Sequence, residues 1–117
     1  MPSFIWSDAL VANQRGQAPI LNWQFARVPN AFVEGGYIAI LQRATTVNVR
    51  MSIFTGSQNI QQLTPCPGGG TAGVTPVLFN TPVIDFKASP DDLLQILNDE
   101  VGGAVATVDG IITIEPL

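Results

Sequence analysis

The sequence contains no histidine, and only 12% of its 117 residues are charged although 46% are apolar. Average domains carry roughly twice that charged fraction. The missing imidazole removes the usual proton-transfer group, and with it Ser/His/Asp and Cys/His nucleophile systems in their ordinary forms. Cations are scarce as well. Arg15, Arg27, Arg43, Arg50 and Lys87 are the full set, scattered singly, and the net charge is -4. Phosphate backbones are held by clustered cations, so direct nucleic-acid binding is not expected. The single cysteine, Cys66, excludes an intrachain disulfide and leaves zinc without its usual ligands. No apolar run approaches the ~20 residues of a membrane-crossing helix. Met1–Asp8 lacks the basic stretch and long apolar block of a secretion signal.

What is present is strand-forming sequence. Pro, Gly, Asn, Thr and Ser punctuate the chain at short intervals and leave apolar segments of strand rather than helix length, which predicts a single all-β domain. In Thr46 to Phe54, Val47, Val49, Met51 and Ile53 alternate with Asn48, Arg50, Ser52 and Phe54, placing the first set on a core face. Phe54 breaks the polar set and reads as an interface or second-core residue. Tyr37 to Arg43 predicts the preceding strand of a meander, with Thr55 to Asn59 as the next connection. Thr75 to Lys87 predicts strand interrupted at Pro82. Asp109-Gly110 has the composition of a tight hairpin turn between Ala104 to Val108 and Ile111 to Glu115, with one bulged strand as the alternative. Residues 90–98 are ambiguous. Ser89-Pro90-Asp91-Asp92 has the form of a helix start, whereas the short run Leu93 to Leu97 and its neighbours favour strand.

Residues 1–36 differ from the rest. They are rich in Asn and Gln, interrupted by Pro2, Pro19 and Pro29, and hold both tryptophans. Pro19 to Arg27 alternates as one strand would. The expectation is an extended N-terminal arm over 1–36, whose rings anchor on another surface, followed by an antiparallel β-sandwich or jelly-roll-like domain over 37–117. The expected interface residues are Phe4, Trp6, Trp23, Phe25, Phe32 and Phe54. The competing reading is that these rings complete the domain's own core.

Three features bear on chemistry. Gly68-Gly69-Gly70-Thr71-Ala72-Gly73 has the spacing of a dinucleotide-binding fingerprint, but Pro65 and Pro67 precede it and Val74-Thr75-Pro76 opposes the helix that the fingerprint requires. A connecting loop is the better reading. The pairs Asp91-Asp92 and Asp99-Glu100 supply oxygen ligands of the kind calcium prefers, without the twelve-residue loop pattern. No pair among the nine acids stands out for glycoside hydrolysis. No catalytic residue, cofactor or metal is therefore expected.

The β pattern, the aromatic N-terminal segment, the Gly-Gly-Gly-Thr-Ala-Gly stretch, and the closing segments Asp92 to Asn98 and Gly110 to Leu117 together resemble small β-sandwich virion proteins of bacteriophages. These include capsid decoration or cement proteins, vertex proteins and tail modules. The resemblance implies a non-enzymatic subunit in a trimer or pentamer that contacts a major capsid protein or other virion subunits, assembled in the host cytoplasm. It assigns no residue a role. The alternative is a β-sandwich binding module for carbohydrate or receptor, with Trp6, Trp23 or Tyr37 stacking on sugar rings.

Overall fold

The computed structural model describes residues 2–45, 48–65 and 84–117, with the backbone alone for 63–65. Among these residues seven strands run in the order β1 (Ser3–Leu10), β2 (Gly36–Ala44), β3 (Val49–Thr55), β4 (Gln58–Pro65), β5 (Ile84–Ala88), β6 (Leu94–Glu100) and β7 (Ala106–Pro116). They form two antiparallel sheets, one in the order β1-β7-β2-β5 and the other β4-β3-β6. The protein is all-β among the described residues, as its composition predicts.

A single apolar cluster draws on both sheets. Leu10, Ile38, Ile40, Val108, Ile112 and Ile114 come from the four-stranded sheet, and Val49, Met51, Ile53, Leu94 and Ile96 from the three-stranded one. In β6 and β7 the buried residues recur at every second position, the period that sets one face of a strand against a core. In β2, Ile38 through Arg43 are all buried, so both of its faces are covered there.

Several local expectations require correction. Residues 106–116 form one continuous strand, so Asp109-Gly110 does not turn the chain. Gly110 pairs with Trp6 on one side and Gln42 on the other, and a Cβ there would overlap the indole ring of Trp6. Glycine in this strand marks the close approach of a ring. The predicted meander through residues 37–54 is not formed, because β2 and β3 belong to different sheets. Gln58 and Asn59 are strand residues, and the β3–β4 hairpin turns on Gly56-Ser57, with Gly56 at φ 58°. Residues 94–100 are strand, which resolves the ambiguous segment. Pro19 to Arg27 is a run of turns, closed by bonds such as Trp23 N–H to Ile20 C=O at 3.0 Å and Ala26 N–H to Trp23 C=O at 3.0 Å. Cys66, the glycine-rich stretch and the strand expected from Thr75 to Val83 lie outside the described residues.

The N-terminal segment is built into the fold. β1 pairs with β7 at eight register positions, from Ser3↔Thr113 to Leu10↔Ala106. The chain then runs beside β6, meeting it at the bridges Gln17↔Asn98 and Arg27↔Leu93, and buries Ile20 and Val28 in the common core. The physical reason is that Trp6, Leu10, Ile20 and Val28 all find apolar surface within their own chain.

Candidate interaction surface

The aromatic residues expected at an interface divide into two groups. Phe4, Trp6, Trp23 and Phe25 form a chain of ring contacts, with centroids 6.3 Å apart for Phe4–Trp6, 5.8 Å for Phe4–Trp23 and 5.7 Å for Trp23–Phe25. Trp6 is only 5% exposed, whereas the other three are half-buried against the core. Phe32 also packs half-buried on the core, and Phe54 is half-buried on β3 between the buried Ile53 and Thr55. Neither joins the ring chain.

Beneath the rings lies a polar network that links the sheets. The Trp6 indole N–H donates to Gln42 Oε1 at 3.0 Å, and the Gln42 amide donates to Asn98 Oδ1 at 2.7 Å. Asn98 donates in turn to Gln17 Oε1 at 2.9 Å, and Gln17 donates to Asp8 Oδ2 at 2.9 Å. Gln42 and Asn98 are fully buried, and each side-chain partner makes the desolvation of the next tolerable. Of these amides, Gln17 belongs to the Asn- and Gln-rich segment 1–36 that suggested an arm. Their one sequence signal is Gln42, which ends the apolar run Ile38 to Leu41.

Asp92, Asp99 and Glu100 of the acidic pairs are engaged by backbone and hydroxyl groups. Asp92 accepts from Ser89 N–H at 3.1 Å and Thr55 Oγ1 at 3.3 Å, and Asp99 accepts from Gly16 N–H at 2.7 Å. Glu100 is buried and accepts from the amides of Asn13, Gly102, Gly103 and Ala104 at 2.7–3.2 Å, while Arg15 donates to its carbonyl. The Asn13 amide, helped by the other three and opposed by burial, holds the Glu100 carboxyl below its ordinary range. These contacts fasten turns. Among the described residues no three acidic or thiol groups converge on a cation-sized space.

The surface carries apolar groups that the sequence reading missed. Ile5, Val11, Leu21, Val33, Val105 and Leu117 are 51–79% exposed. Some of them adjoin. Leu10↔Ala106 is the last register pair of β1 and β7, so Val11 and Val105 extend the same two strands side by side. Ile5 lies opposite the half-buried Ile111, which lies opposite the buried Leu41, so this apolar row runs from an exposed edge to a covered face. Comparison with known proteins finds no match: no family model describes the chain, and no curated protein or solved structure is similar to it.

Proposed function

We propose that the protein is a non-enzymatic β-sandwich subunit of a virion shell, a decoration, cement or minor capsid protein that acts through contacts with copies of itself and with the shell. The observation that carries this reading is the placement of exposed apolar residues on a chain with so few charges: Val11 and Val105 flank the last β1–β7 register pair, and Ile5 lies opposite the half-buried Ile111. Isolated exposed apolar residues are ordinary, but adjoining ones on a weakly charged surface favour association. Part of the polar content lies inside, in the Trp6–Gln42–Asn98–Gln17–Asp8 network.

The carbohydrate-binding alternative draws less support. Stacking on sugar needs a flat, exposed aromatic platform, whereas Trp6 is interior and the Trp23 and Phe25 rings meet at 66°. Tyr37 is half-buried and donates to Asp85 at 2.6 Å. The direct test is sedimentation of particles released by cells carrying the gene, followed by mass spectrometry. The proposal expects peptides of this chain to travel with intact particles, and their absence from every particle fraction contradicts it.

A further inference from the structure

Among the described residues the two sheets have four outer strands, and three of them are guarded against pairing with another chain. β5 spans only five residues and exposes Asp85 and Lys87. β4 meets β3 through two register shifts, which twist and interrupt that edge. β6 is covered by the segment running beside it, with Gln17 and Asn98 exchanging backbone bonds at 2.9 and 2.8 Å, Glu100 N–H reaching Gln14 and Leu94 N–H reaching Ala26. Short strands, charges, bulges and covering loops are the devices that keep sheet edges from pairing.

Among the described residues β1 has none of them. It is eight residues long, pairs with β7 without a register shift, and has no Lys, Arg or Pro within it. Its one acid, Asp8, points inward to Gln17. The direction of its free groups follows from the ladder. Ile114 N–H donates to Pro2 C=O at 3.0 Å, so even-numbered residues of β1 turn their backbone groups toward β7 and odd-numbered residues turn theirs away. Ser3, Ile5, Ser7 and Ala9 thus aim N–H and C=O at the open edge, and all four are exposed, Ile5 at 70%.

We infer that β1 pairs antiparallel with β1 of a second copy about a two-fold axis, joining two four-stranded sheets into one. The register that engages all four odd-numbered residues sets Ser3 opposite Ala9 and Ile5 opposite Ser7, with the axis at Trp6. An antiparallel two-fold is self-complementary because each residue's donor and acceptor meet those of its counterpart. The contact names one self-association for the shell subunit proposed above, and its test is separable, because a pair can form whether or not the chain meets a particle. It joins chains two at a time, unlike the threefold or fivefold closure that the resemblance implies.

The test is amide hydrogen exchange by NMR on the full chain, concentrated and dilute, with molar mass measured on the same samples. The expected result is that the amides of Ser3, Ile5, Ser7 and Ala9 exchange at least about tenfold more slowly when concentrated. Those of Phe4, Trp6, Asp8 and Leu10 stay protected at both concentrations. Ile5→Lys places a charge on the open edge, and Ala9→Pro removes only an outward N–H. Either substitution is expected to abolish the odd-residue protection and the paired mass while leaving the even-residue protection intact. Odd-numbered amides that exchange freely at every concentration overturn the inference, as does a paired mass that survives Ile5→Lys.

Discussion

At the residue scale, Trp6 and Gly110 act as one unit. The indole lies where a side chain on β7 would stand, and its N–H enters the Gln42–Asn98 network. Gly110→Ala is expected to cost about 1–3 kcal/mol in urea unfolding, because a methyl group displaces the ring. In a Trp6→Ala background, itself about 3–5 kcal/mol destabilised, the same change is expected to cost far less. Equal costs in both backgrounds contradict this coupling. The pair also shows why Asp109-Gly110 misled as sequence: a glycine needed for φ freedom and one needed for space are written with the same letter, and only the position of Trp6 separates them.

Glu100 gives a second residue-scale prediction. Its carboxyl titrates below the ordinary range in the folded chain, so the ionised form is favoured there over the unfolded state. That contribution is complete above the ordinary carboxylate pKa and disappears as pH falls through the lowered value. Thermal melts of the wild-type chain and of Glu100→Gln are therefore expected to differ near neutrality and to converge as pH falls below the ordinary carboxylate range. A gap that stays constant through that fall assigns the acid response to other groups.

At the scale of elements, the chemistry of each strand was more legible than its partners. The alternation in Thr46 to Phe54 marks β3, and Tyr37 to Arg43 marks β2 almost to its ends, because buried β-branched and aliphatic side chains leave a direct trace. Nothing in either segment reports that β2 pairs with β7 while β3 pairs with β6, since sheet membership depends on contacts remote in sequence. β4, with Gln58, Asn59, Gln61 and Gln62, has too little apolar content to announce itself.

The first 36 residues illustrate the same limit. Proline, asparagine and glutamine suggested a chain standing away from the domain, but β1 closes one side of a sheet and residues 14–28 line β6. Deleting residues 2–10 removes Trp6 and Leu10 from the core together with all eight β1–β7 pairs. The truncated chain is expected to lose cooperative unfolding by circular dichroism and fluorescence. A sharp transition with an unchanged midpoint contradicts the placement of β1 as a structural strand.

For the whole molecule, the relevant property is its low charge. With five basic and nine acidic residues, and several of the acids engaged in fastening turns, the outer surface is left to small polar and apolar groups. Of the rings expected to anchor a partner, Trp6 is interior, and the exposed apolar groups are instead Ile5, Val11, Leu21, Val33, Val105 and Leu117. Aliphatic side chains at single positions escaped notice because sequence alone does not distinguish an outward-facing valine from an inward-facing one until register is known.

We propose that this weakly charged surface is covered by other copies of the chain. Light scattering on the purified full-length protein, carried through about a hundredfold dilution, tests it most directly. The account predicts a discrete multiple of 12.4 kDa that falls toward the single-chain mass on dilution. A mass of 12.4 kDa at every concentration contradicts it.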